Sequence, residues 1–314
     1  MYYIGVDIGG TNISAGVVRD NKIVLKKSVK TGAERPYEKV LADIIALIND
    51  VRSEADGEAV SVGLGCPGSC NLDTGTIEFS GNLGWHNVPL APDVERAVGL
   101  PVSLENDASA AAYGEFVAGA AKGCNSAVII TLGTGVGAGI IVDGKILRGE
   151  NFAGGEIGHT VIMMDGVQCN CGRKGCFETY SSATGLIRMT AEAIRQNPTS
   201  EMKVIADEMG KVSARTAFLA AKKGDSEGKA VVDFYIKALA CGITNVINTF
   251  QPDCLCIGGG VCNEGDYLLL PLRELAAKEV YTKNSEKNTE IVICKLGNDA
   301  GIIGAALVNA EVVT

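Results

Sequence analysis

The sequence has few aromatic residues, few cations relative to anions and no long apolar run. Aromatics make up 5% of the 314 residues, and 28 lysines and arginines face 37 acidic residues, which gives a net charge of −9. Because binding to a phosphate backbone depends mainly on Lys and Arg, this charge argues against nucleic acid as a partner. No run reaches the ~18 consecutive apolar residues of a membrane span, so we predict no membrane partner either.

The first residues, MYYIGVDIGG, contain no basic leader, no apolar run of signal length and no cleavage pattern. We therefore expect a cytoplasmic protein, whose thiols stay reduced. The eleven cysteines are an odd number, which excludes complete intramolecular disulfide pairing. Glycine, by contrast, is abundant at 40 residues, and this indicates tight turns and close approach of the backbone to ligands.

One supersecondary unit occurs twice. The first copy, YYIGVDI-GGTN-ISAGVVR-DN-KIVLKKSV, reads as strand, glycine turn, strand, hairpin turn, strand. A shift of 123 residues without gaps places it on AVIITLGTGVGAGIIVDGKIL, with Gly10-Thr11 on Gly133-Thr134 and Asp20 on Asp143. Chance similarity of glycine-rich hairpins is the alternative. The repeat predicts two similar α/β lobes facing each other across a ligand cleft, each sheet covered by helices.

The rest of the chain reads as alternating helices, strands and loops. Apolar residues from Val40 to Val51 recur at helical spacing, a strand AVSVGLGCPG follows, and a glycine-rich and polar loop is expected from Ser69 to Leu90. QPDCLCIGGGV reads as a buried strand running into three glycines. Further helices are predicted over residues 184–196, about 213–223, about 227–250 and 300–312.

The two glycine turns are candidate phosphate-binding loops. A Gly-Thr turn after a buried strand exposes successive backbone N–H groups, which form an anion-binding nest. Neither turn has the Walker A spacing, and neither opens a helix as a dinucleotide-binding turn does. The 123-residue shift places Asp7 on Ile130, so only the first copy has an acid before its turn. One such acid would suit a single Mg²⁺ near the phosphates. Ordinary hairpin turns are the alternative. The candidate nucleotide contacts are Asp7, Gly9, Gly10, Thr11, Asn12, Thr131, Gly133, Thr134, Gly135 and Gly259.

The segment LENDASAAAYGEF carries the candidate general base. It runs from a strand into an Ala-rich helix, with Asn106 and Asp107 at the helix start. In phosphoryl transfer one Asp commonly accepts the proton of the attacking hydroxyl, and the helix N-terminus favours its ionised form. The alternative is that Asp107 is only a helix N-cap.

The segment GHTVIMMDGVQCNCGRKGCFE carries a candidate metal site. His159, Cys169, Cys171 and Cys176 supply four ligands within eighteen residues, a complete tetrahedral set for Zn²⁺. Four protein ligands leave no open position, so the metal is predicted to be structural. A Cys-x-Cys pair is too close for a comfortable disulfide, which leaves a cluster of reduced thiols as the alternative.

Two acids, Glu156 and Glu178, bracket this segment. Isolated glutamates are usually solvated surface residues, but these two lie beside glycines and a rigid metal loop. A ligand with many hydroxyl groups would suit them. The residues alone therefore indicate a nucleotide-using enzyme with a neutral, hydroxyl-rich acceptor.

Six motifs together resemble the ROK family of sugar kinases and related repressors over essentially the whole chain. They are GVDIGGTN, ENDASAAAYGE, TLGTGVGAG, GGEIGH, CNCGRKGCFE and IGGGV. The pattern is most similar to the kinases of glucokinase type. The resemblance implies an actin/hexokinase-like fold, with a smaller lobe of residues 1–117 plus about 298–314 and a larger lobe of residues 118–297 that carries the zinc loop. It also implies a homodimer or homotetramer.

The same resemblance implies phosphorylation of a hexose on its 6-hydroxyl, most often glucose, by ATP with Mg²⁺. It makes Asp107 the general base and assigns sugar contacts to Gly68, Asn106, Asp107, Glu156, His159 and Glu178. N-acetylmannosamine, fructose, N-acetylglucosamine and allose remain alternative substrates, because their kinases share these acids. A non-catalytic sugar sensor is the alternative of another class. We do not expect it, because Asp107 and both glycine turns are present and no helix-turn-helix segment precedes the first strand.

Overall fold

The first copy of the repeat forms three antiparallel strands. In this computed structural model, which describes residues 1–308 and 310, they are β1 (Tyr2–Ile8), β2 (Asn12–Arg19) and β3 (Lys22–Lys30). The hairpin turn at Asp20 and Asn21 has φ values of 50° and 59°. Asp and Asn tolerate this left-handed conformation, which a two-residue hairpin of matching twist requires. The predicted hairpin is confirmed.

Two further strands extend this sheet parallel to β1, and helices cover it. The elements that follow β3 are α1 (Tyr37–Glu54), β4 (Ala59–Cys66), β5 (Ser69–Asn71), β6 (Thr76–Ser80), β7 (Trp85–Val88), α2 (Leu90–Val98), β8 (Val102–Asn106) and α3 (Asp107–Ala118). The sheet order is β3-β2-β1-β4-β8. Helix α1 buries Val40, Ile44 and Val51, among others, so the predicted amphipathic helix is confirmed.

The segment from Ser69 to Leu90 is not the loop that we predicted. It contains a three-stranded antiparallel sheet in the order β5-β6-β7. Cys70, Ile77 and Trp85 are buried, while most of their strand neighbours are half-buried or exposed. Strands of three to five residues between glycine turns give an alternation too short to recognise in the sequence.

The second copy of the repeat builds a sheet with the same connectivity. Strands β9 (Ala127–Leu132), β10 (Val136–Val142), β11 (Lys145–Ile146), β12 (Cys254–Gly258) and β13 (Glu290–Ile293) have the order β11-β10-β9-β12-β13. Its hairpin turn repeats the positive φ values, 49° at Asp143 and 76° at Gly144. The repeat is therefore real and not a chance similarity.

The helices after β11 include the long ones that we predicted. They are α4 (Phe177–Ser181), α5 (Ala183–Gln196), α6 (Glu201–Glu208), α7 (Thr216–Lys222), α8 (Ser226–Phe250), α9 (Asp266–Glu279) and α10 (Ala300–Leu307). Among the described residues, α8 alone has the length and hydropathy of a membrane span, but 67% of its apolar window is buried. The core helix of a globular domain has the same properties. For α10, part of the predicted range 300–312 lies outside the described residues.

Small residues allow α10 to pack closely on α3. A Cβ on Gly304 would lie 1.6 Å from the carbonyl oxygen of Ala110, and a Cβ on Gly114 would lie 2.1 Å from that of Ala300. No side chain fits at either position unless the helices separate. This contact holds α10 against the helix that begins at Asp107.

The contacts divide the chain into two compact units. The first unit comprises Met1–Ile129, Gly139–Gly155 and the C-terminal segment from Cys294, and the second comprises Ile130–Ala138 and Glu156–Ile293. The first unit also contains residues 118–129 and 139–155, which we placed in the larger lobe. The lobe boundaries that we predicted stay a prediction.

Candidate functional site

A buried threonine fixes the backbone of the first glycine turn. The backbone N–H of Gly9 donates to the carbonyl oxygen of Asn12 at 2.9 Å. Thr31, which is fully buried, donates from its hydroxyl to the carbonyl of Gly9 at 2.6 Å and from its N–H to that of Thr11 at 3.0 Å. Gly10, Thr11 and Asn12 remain exposed. A fixed turn with an open backbone is what a phosphate nest needs. Sequence reasoning missed Thr31.

Asp7 lies at the end of β1 against the start of α10. A Cβ on Gly301 would approach the Asp7 carboxyl carbon to 2.9 Å, so glycine is needed there. Burial, and secondarily the negative charge of Asp107, raise the pKa of Asp7 from 3.8 to about 6, whereas Lys26 acts in the opposite direction. Strands β1, β4 and β8 are parallel, with Asp7 opposite Gly65 and Cys66 opposite Asn106, so the two acids that we singled out in the first unit lie at the same edge of the sheet.

Asn106 and Asp107 stand where β8 ends and α3 begins. The side-chain oxygen of Asn106 accepts from the N–H groups of Ala108 and Ser109 at 2.9 and 3.2 Å. Asn106, and not Asp107, is therefore the N-cap, and the alternative that Asp107 serves as the cap is wrong. Asp107 is half-buried and accepts from the N–H of Ala108 at 2.9 Å.

Gly68 lies beside Asn106. The Asn106 amide nitrogen donates to the carbonyl of Gly68 at 3.2 Å. Gly68 has a φ of 116°, and a Cβ there would lie 2.2 Å from the carbonyl oxygen of Phe79. Only glycine meets both constraints. The structure thus groups Gly68 and Asn106 next to Asp107, three residues that we had proposed as sugar contacts.

The second glycine turn is fixed at several points within the second unit. Gly133 donates to the carbonyl of Gly135 at 3.0 Å and accepts from the N–H of Ala183 at 2.9 Å. Thr131 donates to the carbonyl of Gly137 at 3.3 Å. Gly259, with a φ of 98°, lies so close to β9 that its Cβ would be 2.2 Å from the carbonyl oxygen of Leu132. Gly133 and Thr134 are exposed at the tip of the turn.

The cysteine and histidine segment folds into a compact cluster. The candidate ligand atoms of His159, Cys169, Cys171 and Cys176 all lie within 4.8 Å of one another. The Nδ1 atom of His159 is 3.6 Å from the sulfur of Cys169, and the sulfurs of Cys171 and Cys176 are 3.7 Å apart. A hydrogen bond from the backbone N–H of Arg173 is the main cause that lowers the pKa of Cys171, whereas burial raises the pKa of Cys176.

The two flanking acids occupy different positions around this cluster. Glu156 is exposed, and its carboxylate lies 4.0 Å from Nε2 of His159, the ring nitrogen that does not face the cysteines. Glu178 is half-buried and accepts from the N–H of Val136 at 2.9 Å. Between Glu156 and His159, a Cβ on Gly158 would lie 2.2 Å from the carbonyl oxygen of Val136, so this short helical turn packs directly against β10.

Each unit therefore carries an exposed glycine turn with polar side chains beside it. The first unit holds the acids Asp7 and Asp107, and the second holds Glu156, Glu178 and the Cys/His cluster. A carboxylate can accept a proton, and backbone N–H groups can bind phosphate. The Cys/His cluster can hold a metal ion.

This combination of fold and motifs is that of a sugar-kinase-like α/β protein, and the sequence matches the ROK family over residues 3–311. The chain belongs to the ROK family. It is similar to a glucokinase of Halalkalibacterium halodurans, with 38% identity over 96% of this chain and 93% of that one. A glucokinase of Thermotoga maritima shares 39% identity over 98% of this chain and 97% of that one.

A solved structure has the same fold. The ROK family glucokinase from Streptomyces griseus, in complex with glucose and AMPPNP, superposes with a TM-score of 0.80 at 32% identity, over 98% of each chain. The resemblance read from the six motifs is thereby confirmed.

Proposed function

We propose that this protein transfers the γ-phosphoryl group of ATP to the 6-hydroxyl of glucose, giving glucose 6-phosphate and ADP. The observation that carries the proposal is the placement of two acids, Asp7 and Asp107, at the same edge of the first sheet, beside an exposed glycine turn. The glucokinase relatives support glucose as the acceptor.

Asp107 acts as the general base. Its carboxylate accepts the proton of the 6-hydroxyl while the oxygen attacks the γ-phosphorus and the bond to the β-phosphate oxygen breaks. Because Asn106 caps α3, the carboxylate of Asp107 does not have to serve as the cap. Gly68 and Asn106 then offer a carbonyl and an amide group to the sugar hydroxyls.

The two glycine turns bind the phosphates through their backbone N–H groups. Gly259 is a further proposed contact of the nucleotide. Asp7 is suited to an Mg²⁺ ion that accompanies ATP, since it is the acid of the first turn and ionises more readily beside a cation. A bound Mg²⁺ would neutralise charge that develops on the phosphates. The other proposed contacts are Gly9, Gly10, Thr11, Asn12, Thr131, Gly133, Thr134 and Gly135.

The Cys/His cluster fits Zn²⁺ by its donor set, three sulfurs and one imidazole nitrogen within 4.8 Å of one another. When bound, the metal would supply rigidity and no reaction chemistry, because four protein ligands complete its shell. His159 presents Nδ1 to the cysteines and so keeps Nε2 for a sugar hydroxyl. Glu156 and Glu178 accept hydrogen bonds from further hydroxyls. A cytoplasmic location and a homodimer or homotetramer complete the proposal.

A coupled assay of sugar phosphate formation tests this function. Glucose, mannose, fructose, N-acetylmannosamine, N-acetylglucosamine and allose are each offered with MgATP. We expect the highest kcat/KM with glucose. A higher value with another sugar would reassign the substrate, and no product with any of them would reject the kinase activity.

A further inference from the structure

A buried ion pair lies directly before the proposed base in the first unit. Glu105, the residue before Asn106, is 2% exposed. Its Oε2 atom receives two contacts from Arg148, at 2.9 Å from Nε and 2.8 Å from Nη2. Its other oxygen accepts from the N–H of Asn106 at 3.1 Å. One carboxylate thus joins a distant arginine to the end of β8.

Arg148 stabilises the charged form of Glu105 against the effect of burial. Burial raises the pKa of Glu105, and the charge and hydrogen bonds of Arg148 oppose this effect. Removing one member of such a pair leaves an uncompensated buried charge, whereas removing both does not. Glu105 precedes Asn106 in β8 and accepts from its N–H, so a rearrangement of the Glu105 side chain acts directly on the strand end before Asp107.

Arg148 also closes a tight loop. Its carbonyl accepts from the N–H of Gly154 at 2.7 Å, and Gly149 has a φ of 74°. A Cβ on Gly154 would lie 2.8 Å from the carbonyl carbon of Arg148, so the loop returns directly onto the arginine backbone. Glu156 follows two residues later in the chain.

We infer that Arg148 is a positioning residue, which fixes both the strand end at Asn106 and Asp107 and the chain segment that leads to Glu156. All three of these residues belong to the proposed sugar site, so this inference rests on the proposed function. Arg148 itself is not required to touch the sugar or ATP. Its loss should therefore change the kinetics toward the sugar and leave those toward MgATP largely intact.

Steady-state kinetics of Arg148→Met, Arg148→Lys and the double variant Glu105→Gln/Arg148→Met test the inference, with the sugar that the wild-type enzyme prefers. For Arg148→Met we expect a sugar KM at least tenfold higher and a lower kcat, with KM for MgATP within twofold. Arg148→Lys keeps the charge but cannot make the forked contact, so its sugar KM should rise about threefold. The double variant should recover melting temperature but not sugar KM.

Lys222→Met serves as the matched control. Lys222 pairs at 2.5 Å with Glu264, whose side chain is 7% exposed, so this variant also leaves a largely buried carboxylate unpaired. It should lower the melting temperature and leave sugar KM unchanged. If Arg148→Met behaves in the same way, or if Arg148→Lys has wild-type sugar KM, the positioning role is rejected.

Hydrogen–deuterium exchange separates this inference from the proposed function, because it needs no activity. Arg148→Lys, which retains the charge and is expected to fold, should exchange faster over residues 105–108 and 149–155. Protection equal to wild type in both segments overturns the inference even in an active kinase. Faster exchange in a protein without kinase activity supports the positioning role and rejects only the function.

Discussion

Oε2 of Glu178 accepts a hydrogen bond from the backbone N–H of Val136 at 2.9 Å. Val136 begins β10 directly after the second glycine turn, and Glu178 follows Cys176 by two residues. The same oxygen lies 2.1 Å from the place where a Cβ on Gly135 would be. One carboxylate therefore links the Cys/His segment to the proposed phosphate turn, and a change in either is expected to affect the other.

Gly135→Ala should disturb this link. Its methyl group would overlap Glu178 Oε2, so either the turn or the carboxylate must move. We expect the free energy of unfolding to fall by about 1–3 kcal/mol, the usual cost of overpacking, and KM for MgATP to rise. Urea unfolding and steady-state kinetics measure the two effects.

Gly133→Ala is the control for stability, because it adds the same methyl group to the same turn with no atom within 4 Å. It should unfold at the wild-type urea concentration. Equal stability of the two variants would show that the contact between Glu178 and Gly135 does not constrain the turn.

Asp107→Asn should separate proton transfer from binding. The amide cannot accept the hydroxyl proton, so we expect kcat to fall by about 10²–10⁴-fold. Titration calorimetry should still detect the sugar, with a Kd within a few-fold of wild type. Asp143→Asn is the control, since Asn also tolerates the φ of 49° in that hairpin turn, and it should keep wild-type turnover. Substantial turnover in Asp107→Asn would remove Asp107 from the role of base.

The repeated sheet was predictable because its information is local. The Asp-Asn turn at residues 20–21 and its counterpart Asp143-Gly144 select the hairpin, and each glycine turn follows a continuous apolar strand. The small sheet β5-β6-β7 was not predictable in this way. Its strands, such as Trp85–Val88, hold too few residues to show a period, and their pairing depends on tertiary burial.

The residues of the candidate site also divide into those with a local sequence signal and those without one. Asn106 and Asp107 could be identified because a polar pair stands between a strand and a helix. Thr31 and Arg148 could not, because each acts on a residue far away in sequence: Thr31 on Gly9, 22 positions earlier, and Arg148 on Glu105, 43 positions earlier. A single sequence carries no signal for such a pairing.

The Cys/His cluster should hold about one zinc ion per chain. Native mass spectrometry of the purified protein measures this directly. Cys171→Ala should lose the metal and lower the melting temperature, because zinc binding contributes to folding on the order of 10 kcal/mol in structural sites. Cys241→Ala, a half-buried cysteine of α8 outside the cluster, should retain both zinc and stability. Folded, active protein without metal would contradict the zinc assignment.

In the absence of MgATP, the Asp7→Asn variant should be more stable than wild type. The same variant should have no kinase activity. The pKa of Asp7 rises from 3.8 to about 6 on folding, so the folded state holds this proton more tightly than the unfolded state. Folding therefore gains most from Asp7 below pH 3.8, and this gain is lost as the pH rises through 6. Above pH 6 the folded protein bears a buried charge that Asn lacks.

Urea unfolding at two pH values checks this sign. Without MgATP, Asp7→Asn should be more stable than wild type by about 1–3 kcal/mol at pH ~7.5 and nearly equal to it at pH ~4. Asp20→Asn, in the exposed hairpin turn of the same sheet, is the control variant. If Asp7→Asn destabilises the protein at neutral pH, the charge of Asp7 must be satisfied without a cation, and the reason for assigning Mg²⁺ to this acid is lost.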